Sequence, residues 1–287
     1  ILWSWHVWVT DEDINNVIEI TNHQNVKYNF MPVNLGQCDG NTITYEERSC
    51  KVKFIAGDQS KEITIKQLAN VIATGSNAPF YQWGRKDPLY PSNGMGNTTK
   101  IWYDKEGIPS TANPMKGTFS AGNDCIKNCI LNPNLMHNRY NGDYTYYNLW
   151  SADNKTTSAN DNPVNKTIYD PCPVGFKLPA SNAFTGFTTT GESVSSSTQV
   201  NGTWSSSEKG WYFYTNSEKT QSIFFPALGY RSYSTMRPGS IGTQGCFWSA
   251  HPVAKGNNYY LRTSSVDVQP TYMVDRGFGY ALRPCQD

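Results

Sequence analysis

Four histidines, His6, His23, His137 and His251, are the side chains in this sequence whose ordinary titration lies nearest neutral pH. None stands in a Gly-x-Ser-x-Gly turn, the strained elbow that exposes a nucleophilic serine to its base. There is no His-x-x-x-His pair to grip zinc, no phosphate-binding loop and no dinucleotide fingerprint. His6 lies in a Trp-rich stretch and reads as a packed core histidine, while His251 follows Trp248-Ser249-Ala250 with no evident partner. Paired carboxylates for glycoside hydrolysis meet in space rather than in sequence, and acidic residues are sparse after residue 170. We therefore expect no catalytic residues, no metal site, no cofactor and no enzymatic activity.

The stronger chemistry is aromatic. Nine Trp, eighteen Tyr and twelve Phe are present. The segment 228–245 (LGYRSYSTMRPGSIGTQG) places Tyr230, Arg231, Tyr233, Met236 and Arg237 among small residues. Rings beside guanidinium groups on a loop can recognise a partner, because they give contact area at low entropic cost and can stack on sugar faces. Trp211, followed by Tyr212 and Tyr214, has the same standing. Two readings stay open for each of these residues: contact with a ligand, or packing of the loop onto the domain.

A formal net charge of +1, from 24 basic and 23 acidic residues, gives no global attraction to nucleic acid or anionic membrane. Only 16% of residues are charged while 14% are aromatic, with many Asn, Ser, Thr and Gly, which suits an extracellular β protein with long polar loops. No stretch approaches the roughly 18–20 apolar residues of a membrane span. No signal peptide is visible, so the chain reads as a mature form or as the C-terminal part of a longer precursor.

These residues need a β scaffold. Residues 1–10 (ILWSWHVWVT), apolar on both faces, predict a strand buried within a sheet. Residues 26–36 predict a second short strand ending in a turn. Residues 43–56 and 62–67 predict a hairpin around Gly57-Asp58. A short helix is expected over 120–131, capped by Asn123 or Asp124 and stopped by Asn132-Pro133, and another over 180–187 with Ser181 as cap. Residues 86–118 and 151–166 read as loops. Strands are expected at 211–214, 222–227, 246–249, 259–263 and 278–283. The fold class is α+β, β-dominated, with more loop than usual.

Four segments carry a signature: Phe30-Met31-Pro32-Val33-Asn34-Leu35-Gly36, Phe80 to Pro88 (FYQWGRKDP), Tyr169 to Pro179 (YDPCPVGFKLP), and Phe247-Trp248-Ser249-Ala250 with Gly277 to Cys285 (GFGYALRPC). As an ordered set they resemble the Fibrobacter-succinogenes-type major paralogous domain of surface lipoproteins and fimbria-associated proteins in Bacteroides-like bacteria. The sequence departs from that pattern at Pro32, Val33 and Phe176. The resemblance implies one C-type-lectin-like domain over 1–287 with long loops, and the hairpin region 40–70 reads as an insertion. It implies that the segment around 170–179 meets the final strand in space. In such domains the long loop that presents ligands corresponds here to 228–245.

Seven cysteines, an odd number with no Cys-x-x-Cys pair, leave at least one thiol unpaired or intermolecular. Cys38 with Cys50, and Cys172 with Cys285 as in C-type lectins, are the disulfide candidates, with reduced buried thiols the alternative. Cys125 and Cys129 sit four apart, where a bond would be strained. The Glu-Pro-Asn and Gln-Pro-Asp tripeptides of calcium-dependent sugar binding are absent; Asn160-Asp161-Asn162 and Asp153-Asn154 have the oxygens to ligate a cation in their loop, with a solvated polar loop the favoured reading.

The expected function is that of a cell-surface or extracellular (outer-membrane, fimbrial) binding module, an adhesin or fimbria-associated protein recognising glycan or a host or bacterial surface protein. The alternatives are a structural pilus or assembly subunit, contacting other pilus subunits through the N-terminal strand and sheet edges, and a surface polysaccharide-acting enzyme. No nucleic-acid partner is expected.

Overall fold

The structure is a computed structural model that describes residues 2–38, 42–73, 77–92, 102–103, 108–110, 122–137, 150–153, 155, 158–253 and 256–287. The β-dominated expectation holds, at 39% strand and 5% helix. Its framework is a set of small antiparallel sheets.

The first sheet runs in the order Ile18–Thr21, Lys27–Phe30, Cys285–Gln286, Phe176–Lys177. Cys285 lies opposite both Phe30 and Lys177, so the early strand, the segment after Asp170 and the final strand close on one another. Gly175 takes φ +82° in the turn before Phe176, a conformation that glycine adopts without strain. Asp170 fixes that segment from within, accepting from the amides of Cys172 (2.8 Å) and Leu178 (3.2 Å). Burial pushes its carboxyl above the usual range, while those hydrogen bonds and Lys166 oppose the shift.

Three further sheets share the core. They are Gly202–Ser205, Gly210–Tyr214 and Ser222–Pro226; Gly245–Pro252, Asn257–Thr263 and Val268–Asp275; and Pro238–Gly239, Tyr230–Arg231, Gly279–Tyr280 and Tyr81–Gln82. A parallel bridge between Phe247 and Ala281 joins the latter two. Two aromatic cores result. Phe30, Phe184, Phe187, Phe213, Phe225 and Phe247 form one, with Phe187 and Phe213 stacked at 3.9 Å. Trp83, Trp150, Trp248, Tyr260 and Tyr280 build the other. Its indole N–H groups donate to the carbonyls of Ser249, Arg85 and Tyr81, so each buried polar edge is satisfied.

The hairpin forms as its alternation and turn dictate: Arg48–Ala56 pairs with Gln59–Gln67, and Thr42–Tyr45 with Asn70–Ala73 extends the ribbon at its base. The helix spans Gly122–Leu131, and the side chains of its cap candidates Asn123 and Asp124 lie outside the described residues.

Several expectations are corrected. Residues 2–10 form no strand. They are extended but held through side chains: Ser4 hydrogen bonds to Asp87, the His6 ring meets the Tyr81 hydroxyl at 2.8 Å, and Trp8 donates to the Gln37 carbonyl. Trp5, Val7 and Val9 point outward, Trp5 at 80% exposure. Alternation signals an extended chain but not whether a sheet edge awaits it. Within 26–36 the strand is confined to Lys27–Phe30, Pro32 having no N–H to offer a ladder, and the expected closing turn falls at Leu35–Gly36, with Gly36 at φ +75°. The 180–187 segment makes only a 3₁₀ turn at Thr185–Phe187, and Ser181 caps nothing because its hydroxyl is engaged with Asn160. Of the expected 278–283 strand only Gly279–Tyr280 forms; Cys285–Gln286, beyond its end, is a separate strand in a different sheet. Cys38, Cys50, Cys172 and Cys285 stand as free thiols in this structure. Cys172, Cys246 and Cys285 are buried, and burial pushes each thiol up, Cys246 and Cys285 to about 12, which favours the protonated form at neutral pH.

Candidate binding surface

The loop that reverses between Tyr230–Arg231 and Pro238–Gly239 is built from the inside. Arg231 points into the protein and is buried. Its guanidinium donates to the Met236 carbonyl at 2.6 Å and to the Tyr90 carbonyl, tying the tip of the loop to a segment far away in sequence. Burial lowers its pKa to about 10, which leaves it charged at neutral pH. The tip closes on itself, with the Ser232 amide donating to Arg237 (2.9 Å) and the Met236 amide to Ser232 (2.8 Å). Met236 adopts φ +58° there. Gly229, at φ +72°, passes so close to Gly239 that a Cβ would stand 2.1 Å from its carbonyl oxygen.

Outside this frame lies an aromatic ridge. Tyr230 meets Phe278 edge-on at 5.4 Å, Tyr233 meets Phe278 at 4.8 Å, and Phe278 stacks on Tyr280 at 5.8 Å. Tyr230, Tyr233 and Phe278 are half-buried, while Ser234, Thr235 and Arg237 are exposed. The surface thus offers ring edges, hydroxyls and one solvent-facing guanidinium on a loop with little freedom to rearrange. That set can stack on apolar faces, donate to carboxylate or hydroxyl oxygens, and exclude water beneath a flat ligand.

The structure brings Tyr230, Tyr233 and Arg237 to one surface and withdraws Arg231 into its support. Trp211 is fully buried; its indole donates to the Ser264 carbonyl at 2.7 Å and packs on Trp204 and Phe213. Along that strand Trp211 and Phe213 face the core, and Tyr212 and Tyr214 alternate outward. Phe278 and the Tyr90 carbonyl complete the site, and sequence reasoning missed both. Phe278 carried a signal in its place between two glycines beside the closing strand, whereas a carbonyl anchor carries none.

The residues weighed for other chemistry are absorbed into the fold. Asp161 accepts from the Asn22 and Asn182 side-chain amides (2.6 and 2.8 Å) and from the Tyr28 hydroxyl (2.7 Å). The loop around it is docked rather than solvated, and its carboxylate is filled by N–H and O–H donors. Asn154 lies outside the described residues. Among the described residues no three His, Cys, Asp or Glu side chains gather as metal ligands. A groove of about 260 Å³ beside Tyr28, Asp161, Lys177 and Cys285 is smaller than the roughly 300–1,000 Å³ of small-molecule sites. No helix among the described residues is long and apolar enough to cross a membrane.

His251 does have a partner. Its Nδ1 lies 3.2 Å from the Ser181 amide and 3.1 Å from the Ser181 hydroxyl. Both residues are buried, so the pair is closed to substrate. The amide N–H needs an unprotonated acceptor. Burial lowers the His251 pKa, with hydrogen bonds to Asn162 and Asn160 and the charges of Asp161 and Asp153 opposing. A histidine depressed in the fold stabilises it fully above the unfolded value of about 6.5 and loses that contribution as pH falls toward the folded value. His6, also depressed by burial, acts in the same direction. Thermal unfolding should therefore occur at lower temperature at pH 5 than at pH 7, and His251→Gln should flatten the dependence. An unchanged slope in that variant would remove His251 from the account.

No family model, no curated protein and no solved structure matches this chain.

Proposed function

We propose that the chain is a cell-surface or extracellular binding module of C-type-lectin-like architecture, an adhesin or fimbria-associated protein that recognises glycan or protein through the 228–245 loop. One observation carries the reading: a buried guanidinium, Arg231, holds the loop tip from beneath while Tyr230, Tyr233 and Arg237 remain accessible above it. Preorganisation of this kind lowers the ordering cost of binding. The lectin-like architecture is supported by the meeting of Lys27–Phe30, Phe176–Lys177 and Cys285–Gln286 in one sheet, the closure that the sequence resemblance implies.

A glycan and surface-protein array probed with the chain tests this. Expected is a specific ligand whose affinity falls roughly tenfold or more on Tyr233→Ala or Arg237→Ala, with the unfolding midpoint little changed. Retained affinity in both variants would move recognition elsewhere, and release of reducing sugar would replace binding with hydrolysis.

The pilus or assembly reading is favoured by a different observation, the exposed apolar row Trp5, Val7 and Val9 on an extended segment that belongs to no sheet.

A further inference from the structure

The ribbon of Arg48–Ala56 and Gln59–Gln67 is a two-stranded sheet whose outer edges pair with no other strand among the described residues. Directly opposed residues share a face, so its register sorts the side chains. Cys50, Val52, Phe54, Ile63 and Ile65 lie on one face, with Arg48 and Lys61 at its two ends. Lys51, Lys53, Glu62, Thr64 and Lys66 lie on the other, with Ile55 beside the turn. Phe54 and Ile65 are 57% and 52% exposed, so the apolar face is uncovered. A hairpin standing alone is marginal in water, whereas three or more strands sharing an apolar face can hold themselves.

The two edges differ in charge. Arg48–Ala56 carries Arg48, Lys51 and Lys53 with no acid, so pairing with its own copy would set cations together. Gln59–Gln67 contains Lys61-Glu62-Ile63-Thr64-Ile65-Lys66-Gln67, which is self-complementary when reversed. Laid antiparallel on a second copy about Thr64, it sets Glu62 opposite Lys66, Ile63 opposite Ile65 and Thr64 opposite itself. By symmetry each unlike pair occurs twice.

We propose that a second copy of this chain docks along the Gln59–Gln67 edge, across a two-fold axis at Thr64, to form a four-stranded antiparallel sheet. One row across it reads Lys53, Glu62, then Lys66 and Ser49 of the second copy, so the acid lies between cations. The adjoining row on the other face reads Cys50, Ile65, then Ile63 and Val52 of the second copy, which carries the apolar face across all four strands. An isologous contact of this kind closes at two copies. It lies on the ribbon and is independent of recognition through the 228–245 loop.

Sedimentation velocity of the full chain over a concentration series tests the contact. A monomer–dimer equilibrium is expected. Glu62→Lys and Lys66→Glu should each weaken it by roughly tenfold, since each turns two attractive cross-strand pairs into repulsive ones. Mixing the two single variants should restore the dimer, because the new lysine then faces the new glutamate. The mixture also controls for the internal ion pairs, Lys51–Glu62 (2.8 Å) lost in the first variant and Lys66–Glu47 (2.9 Å) lost in the second, since each chain lacks its own pair equally before and after mixing. A monomer at every concentration overturns the proposal. So does a dimer indifferent to both substitutions, or a mixture that stays monomeric.

Discussion

Replacing Arg283 with methionine is expected to cost the fold roughly 3–5 kcal/mol, seen as a fall in the urea midpoint with the slope unchanged. The guanidinium is fully buried. It donates to the Asn34 side-chain oxygen (2.7 Å) and to the carbonyls of Pro32 (3.0 Å), Met31 (3.3 Å) and Phe224 (2.7 Å). It also lies over the Phe225 ring at 4.4 Å. Burial lowers its pKa to about 9, so it stays charged at neutral pH. Methionine matches much of its volume but leaves buried acceptors without a donor, at about 1–3 kcal/mol for each one that water cannot reach. A buried ion pair can often be exchanged for apolar groups with little loss, but there both partners are removed. Here the carbonyls remain. A loss below about 1 kcal/mol would show that water satisfies them and that Arg283 is not the tie between the Met31–Asn34 turn and the closing segment.

Gly229→Ala is expected to destabilise by roughly 2–4 kcal/mol and to weaken ligand binding more than tenfold. The added methyl would meet the Gly239 oxygen at 2.1 Å and the Ile241 nitrogen at 2.8 Å, on a backbone already at φ +72°. Both obstacles are main chain, so no rotamer change relieves them. The Gly229 amide also donates to the Gln244 carbonyl at 2.7 Å, which fixes the entry to the loop. The aromatic ridge should shift because the strand that begins at Tyr230 must move. Normal binding together with an unchanged midpoint would mean that the loop is not preorganised as described.

What could be read from residue order follows from where local physics decides. Alternation on both sides of Gly57-Asp58 specifies a hairpin without help from the rest of the chain, and its register runs as that pattern requires. Pro171, Pro173 and Gly175 preset an extended entry and a turn, and Phe176–Lys177 duly pairs with Cys285–Gln286. Tertiary choice was opaque. Trp211-Tyr212-Phe213-Tyr214 is aromatic throughout, so periodicity could not say which rings turn inward; the stack of Phe187 on Phe213 decides it. Arg231 and Arg237 look alike in the loop sequence, yet one is buried beneath the loop and the other is exposed on it. The first ten residues failed for a related reason, because pairing needs a free edge and composition cannot announce one.

The position of Cys285 between Phe30 and Lys177 also dictates an order of events. Two of the four strands in that sheet wait for a residue made more than a hundred positions after Lys177, so on the ribosome the sheet cannot be completed until Gln286 has emerged. Until then the strands that carry Phe30 and Phe176 lack the one that lies between them, and their pairing is a contact of large sequence separation. Slow, late-closing folding is thus written into the topology.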